Sequence, residues 1–248
     1  MKPTDMSPPE GVDARVFEKV VQHCQEAYRA DEPFRAQLGG HELIVHPGVF
    51  NPAIGHTPPA IIESLIVPAG GDVLDMGCGT GVFGILALLR GARSALLADK
   101  SPAAIVNARA NVELHALEDR CEVVSSDLYD EIDREIHKRR FAVIYSNLPF
   151  LWAERPISER FGPFSPDTVP ESYAYYDGAY LTIERFFLAA PDYLTPDGCI
   201  QCTWSTYANH ERLASILDRA GLVKQQIHSV PDLESGDEYL VYRIERRT

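Results

Sequence analysis

From Gly71 to Arg246 the apolar residues fall alternately into short solid runs and helix-spaced stripes, which predicts strands and helices in turn. Val73-Leu74-Asp75-Met76 reads as a buried strand and leads through Gly77-Cys78-Gly79-Thr80-Gly81 into an apolar helix over Val82 to Leu89. A second strand is expected at Ala95 to Ala98, then a helix from Ser101-Pro102 to about Leu114. Third and fourth strands follow at Cys121 to Ser125 and Phe141 to Tyr145. Beyond them the pattern predicts a helix near Gly178 to Ala190, a strand at Gly198 to Ser205 and a helix over Asn209 to Ala220, closed by Gly221. Strands at Leu222 to Val230 and Glu238 to Arg243 finish the chain. Solid strands alternating with helices imply a parallel sheet covered on both faces.

Upstream the pattern changes. Residues 1–12 are rich in Pro, Met and polar groups and are expected to be disordered. Val16, Phe17, Val20, Val21, Cys24 and Tyr28 then recur at helical spacing. Such a stripe suits either a cap packed on the core or a lid over a ligand. Residues 1–42 are therefore read as tail and cap helix, and 43–248 as the main domain. Leu43-Ile44-Val45 is a short apolar run, after which His46-Pro47-Gly48-Val49-Phe50-Asn51-Pro52 turns the chain. Thr57-Pro58-Pro59 opens a helix through Ile61, Ile62 and Leu65, with threonine as N-cap and proline at the first helical position. Residues 148–177 break the periodicity with five prolines but carry Trp152, Tyr173, Tyr175 and Tyr176. A long loop of that make-up reads as a substrate wall.

The 248 residues, 45% hydrophobic and 24% charged, fit one globular α/β domain with an extension. No apolar stretch approaches ~18 residues and no basic-apolar leader opens the chain, so a cytoplasmic protein with no membrane partner is expected. Cys199 and Cys202 have CxxC spacing but fall on a strand, where they point to opposite faces. Free thiols and no metal are expected. The formal net charge of −13 argues against DNA, rRNA or tRNA as substrate. The one basic cluster, Lys138-Arg139-Arg140, reads as a solvated helix end. Nothing in the chain sets an oligomeric state.

The chemistry gathers at the strand ends. The run Asp75-x-Gly77-x-Gly79-x-Gly81 differs from the dinucleotide pattern Gly-x-Gly-x-x-Gly. Asp99 closes the second strand about 20 residues past the glycines, where a carboxylate can hold ribose hydroxyls. Asp127 follows the third strand and Asn147-Leu148-Pro149-Phe150 the fourth. Singly, Asp99 and Asp127 also suit helix N-caps, and Asn147 a turn. Together they resemble the class I S-adenosylmethionine (SAM) dependent methyltransferases, over roughly residues 43 to 245. The resemblance implies a Rossmann-like seven-stranded sheet, mostly parallel with an antiparallel last strand, and a short helical N-terminal cap. It also implies SAM as cofactor, bound by Thr57, Asp75, Gly77, Gly79, Gly81, Asp99, Lys100, Asp127 and Asn147. Thr57 either caps its helix alone or also meets the methionyl carboxylate.

Asn147-Leu148-Pro149-Phe150 is similar to the (Asn/Asp/Ser)-Pro-Pro-(Tyr/Phe) motif of the amino-methylating branch, with Leu148 in place of the first proline. That implies methyl transfer to an amine of a small molecule or peptide, with Asn147, Tyr175 and Tyr176 catalytic. Phe50, Pro149, Phe150, Trp152 and Tyr173 would line the substrate pocket. His46 and His56 are candidate bases or structural histidines. A second reading resembles the azetidine-2-carboxylate synthases, in which SAM is the sole substrate and methylthioadenosine, rather than S-adenosylhomocysteine, leaves.

Overall fold

The computed structural model describes residues 14, 18, 31–54, 57–132, 139–153, 176–178, 180–232 and 236–247, with the backbone alone at 151–153 and 176. The first strands among the described residues form a hairpin, β1 (Phe34–Leu38) and β2 (His41–Val45), followed by a helix, α1 (Thr57–Glu63). The alternation expected from the apolar pattern follows: β3 (Asp72–Met76), α2 (Val82–Leu89), β4 (Ser94–Asp99), α3 (Pro102–Leu114), β5 (Cys121–Ser125) and β6 (Phe141–Ser146). Two short strands, β7 (Leu151–Ala153) and β8 (Tyr176–Gly178), precede α4 (Leu181–Tyr193), β9 (Leu194–Ser205), α5 (His210–Arg219), β10 (Leu222–Pro231) and β11 (Glu238–Arg246).

Seven strands form one sheet in the order β10-β11-β9-β6-β3-β4-β5. β3, β4, β5, β6 and β9 run parallel, and β11 is antiparallel to both its neighbours. Successive strand residues enter two separate cores. Leu74 and Met76 face the core with α4 and α5, whereas Val73 faces the core with α1, α2 and α3. The same rule splits Cys199 from Cys202, which lie in opposite cores as buried free thiols.

From β3 the chain steps outward to β4 and β5, then returns to the other side of β3 as β6. The crevice above β3 and β6 is a topological switch point, the place where open α/β sheets bind ligands.

Three features depart from the periodicity. A β-hairpin crosses residue 42. α1 begins at Thr57 itself and ends at Glu63, short of Leu65. The ends of the expected 148–177 loop pair as a parallel two-stranded ribbon, Leu151 opposite Tyr176 and Trp152 opposite Asp177. Of the N-terminal helix stripe, the structure describes only Ala14 and Glu18, both helical and exposed. The stripe residues themselves, the lid role and His56 lie outside the described residues.

Candidate functional site: the switch-point crevice

The glycine turn is built by backbone bonds to β4. Gly77 N–H and Cys78 N–H both donate to the Ala98 carbonyl, at 2.8 and 3.1 Å, and Gly81 N–H closes the turn on Cys78 O at 2.7 Å. Gly77 and Gly81 hold φ of 69° and 81°, which side chains rarely adopt. Space above the turn is uneven. A Cβ on Gly77 would lie 3.1 Å from Leu148 Cδ2, whereas one on Gly79 would meet nothing within 4 Å. The open side of the cradle is therefore at Gly79.

Asp99 stands beside that opening. Its Oδ2 accepts from Gly79 N–H and its Oδ1 from Ser101 N–H, each at 2.9 Å. The carboxylate thus joins the turn to the start of α3, and each oxygen keeps a further lone pair for a ligand hydroxyl. Ser101, not Asp99, caps α3, since its side chain accepts from Ala104 N–H. Asp75 does something else. It is fully buried, and Oδ2 accepts from Gly84 N–H of α2 at 3.0 Å while Oδ1 has no partner. Burial, with Asp99 nearby, pushes its carboxyl pKa up to about 7.

The other expected residues differ in how far the structure places them. Lys100 is exposed and close enough to act electrostatically on Asp177, whose carboxyl burial pushes up. Asp127 is exposed and pairs with Arg185 of α4 at 3.2 Å, and Asp130 shares that guanidinium at 3.4 Å. Phe50 and Thr57 are half-buried, on the loop and helix that follow the hairpin. Tyr173 and Tyr175, and the side chains of Trp152 and Tyr176, lie outside the described residues.

Asn147 follows directly on the end of β6. Its Oδ1 accepts from Thr203 Oγ1 of β9 at 2.5 Å. Three residues on, the Phe150 carbonyl accepts from Tyr180 Oη at 2.5 Å, and the Phe150 ring packs on Trp204 with centroids 5.9 Å apart. Sequence reasoning did not find Thr203, Tyr180 or Trp204. Thr203 lies 56 positions from Asn147, and no local pattern marks such a pairing.

It also missed a polar ladder behind the glycine turn. Asn107 and Asn111 on one stripe of α3, with His115 at its C-cap, bond Ile44 and Glu42 of β2 and the adjoining His46. Asn111 also donates to Thr80 O at 2.9 Å, so one fully buried amide ties the hairpin to the turn. Two asparagines four apart on an otherwise apolar stripe were the available signal.

Among the described residues no group of three or more His, Cys, Asp or Glu is placed to hold a metal ion. Burial pushes the Cys199 and Cys202 thiols up to about 11 and about 12, so both stay protonated. Of the basic cluster, Arg139 pairs with Glu122 at 3.2 Å. No helix among the described residues is long and apolar enough to cross a membrane.

A mostly parallel sheet with a switch point, an open glycine turn and an acid at the end of the next strand match the Rossmann-like fold of class I methyltransferases. Comparison with known proteins agrees with that fold, and the curated relatives this chain resembles are SAM-dependent methyltransferases, most of which it spans for about a third of their length. Residues 40–159 match the family model of the methyltransferase small domain. A ribosomal RNA small subunit methyltransferase C of Hamiltonella defensa is 35% identical over 118 residues, 47% of this chain but only 33% of that protein. A Methanocaldococcus jannaschii protein named for protein N5-glutamine methylation is 26% identical over 191 residues, covering 75% of this chain and 86% of that one. Among solved structures, a T. thermophilus 16S rRNA methyltransferase in complex with AdoMet and guanosine superposes with a TM-score of 0.57. It is 20% identical and matches 87% of this chain and 50% of its own, a likeness of fold.

SAM is the cofactor of this class, and the residues present fit it. The turn is open at Gly79, and Asp99 is poised at its edge. One expectation falls. The argument from net charge against nucleic acid is overturned, because relatives of this chain methylate rRNA. Charge summed over 248 residues reports the average surface and says nothing about the single face that meets a substrate.

Proposed function

We propose that this protein transfers a methyl group from SAM to an amine nitrogen bonded to a planar, electron-withdrawing group, with a peptide carboxamide as acceptor. The observation that carries the reading is the placement of the Asn147 amide at the end of β6, one residue from the Leu148 side chain that abuts the glycine turn. The relative named for glutamine methylation supports the acceptor, since it matches three quarters of the chain. Bound SAM supplies an electrophilic methyl group on sulfur. In this reading Asp99 holds its ribose, the edge of the glycine turn its methionyl part, and Thr57, Lys100 and Asp127 complete the cofactor site. Asp75 serves that site from beneath, by fixing the start of α2.

The protein's part in the reaction is to aim the acceptor nitrogen. The Asn147 Oδ1 and the Leu148 carbonyl accept its two N–H groups, which turns the nitrogen lone pair toward the methyl carbon. A new N–C bond forms as the S–C bond breaks, S-adenosylhomocysteine leaves, and the nitrogen loses a proton to water. Such a displacement is accelerated mainly by orientation. Phe50, Pro149 and Phe150 form the acceptor wall in this reading. The cyclisation reading gains no support from the comparisons. The test supplies methyl-labelled SAM with a glutamine-containing peptide and, separately, with ribosomal RNA. Label on the glutamine side-chain nitrogen is the expected result. Label on RNA alone would replace the acceptor, and methylthioadenosine in place of S-adenosylhomocysteine would replace the reaction.

A further inference from the structure

The motif at Asn147 lacks its first proline, and with it the ring that would stiffen the backbone there. The structure holds the same segment by other means. At one end the Thr203 hydroxyl, 3% exposed on β9, donates to Asn147 Oδ1. At the other the Tyr180 hydroxyl donates to the Phe150 carbonyl. Tyr180 is itself fixed. It is fully buried, sits at φ 55° in the turn between β8 and α4, and its N–H bonds Asp177 O at 3.1 Å. Its ring meets Trp204 edge-on at 5.3 Å, and its oxygen also accepts from Asn209 N–H at 3.0 Å. A non-glycine residue persists in that backbone region only when its surroundings over-determine it.

We infer that Thr203 and Tyr180 are positioning residues that clamp Asn147-Leu148-Pro149-Phe150 at both ends, supplying the rigidity the missing proline would give. The inference rests on the proposed role of Asn147. An amide oxygen has two acceptor sites. Thr203 takes one and fixes the plane, leaving the other for the acceptor N–H. Without the hydroxyl the amide rotates, and misaimed groups lose rate rather than cofactor affinity.

The test uses the full chain with SAM and a glutamine-containing peptide or guanosine as probe acceptor. Thr203→Val should lower kcat by about ten- to a hundredfold, with the SAM Kd from calorimetry unchanged and Thr203→Ser restoring most of the rate. Tyr180→Phe should lower kcat similarly, read beside its melting temperature because it also strips a partner from Asn209. By NMR, the Asn147 side-chain amide signal, assigned by its loss in Asn147→Ala, should shift and broaden in Thr203→Val. Wild-type kcat in Thr203→Val would overturn the clamp, as would an unshifted Asn147 signal if neither probe is methylated. Full activity in Asn147→Ala would instead overturn the proposed function itself.

Discussion

Asp75 and Asp99 come from one motif region and do different work. Asp99 is half-buried with both oxygens engaged by backbone N–H groups beside an open turn. Asp99→Ala should weaken SAM binding by about 1.5–3 kcal/mol, more than tenfold in the calorimetric Kd. Unchanged affinity would remove Asp99 from the site. Asp75 is sealed under α2, and its raised carboxyl pKa has a consequence for stability. Between its ordinary value of 3.8 and about 7, the native state keeps a proton that the unfolded chain has lost. Stability from this group is therefore greatest at low pH, falls as pH rises through that window and levels off above it. Asp75→Asn should abolish the slope and so gain on wild type with rising pH, by up to about 1.4 kcal/mol per unit. Urea unfolding at pH 5 and pH 8 reads this directly. The acidic residue was legible in the sequence, but its burial was not, because a carboxylate at a strand end looks the same above a crevice or beneath a helix.

Among elements, the strands and helices from β3 to β6 lay where apolar runs and caps put them, since burial on both faces makes each strand solid and Ser101-Pro102 marks its helix start. The hairpin did not show. β1 is largely exposed, and β2 alternates between buried and half-buried positions over five residues, too short to signal. What secures it is polar. Asn107 and Asn111 pair with the backbone of Ile44 and His46 as a neighbouring strand would. Asn111→Ala would strand the half-buried Ile44 N–H and the carbonyl of buried Thr80 together. A loss of about 2–4 kcal/mol is expected, with amide exchange at Ile44 accelerating before that of the central strands. Slow exchange at Ile44 in the variant would show that apolar contacts alone hold the hairpin.

On the scale of the whole molecule, the sheet order puts the Gly77–Gly81 turn, Asp99 and Asn147 at one edge although they span 70 residues of chain. A ligand gripped by several such elements binds the folded state alone. SAM at about a hundredfold its Kd should therefore raise unfolding stability by about 2.7 kcal/mol. Thermal unfolding with and without SAM measures the shift, and its absence would mean that the native crevice does not bind the cofactor. Charge was the misleading signal at this scale. The figure of −13 is real, but relatives of this chain act on rRNA, so the sum over the surface does not choose the substrate.

The amino-acid sequence by itself determined the class of fold and the strand ends where chemistry collects. Solid strands alternating with amphipathic helices have few packings, and the Asp-x-Gly-x-Gly-x-Gly turn, Asp99 and Asn147 each follow locally from the residue before them. Tertiary structure alone decided which groups hold those residues in place. Thr203 reaches Asn147 across 56 residues, Tyr180 reaches Phe150 across 30, and Asn111 reaches Thr80 across 31. A hydrogen bond depends on distance in space, and separation along the chain carries no trace of it once the sheet has brought strands β6 and β9 side by side.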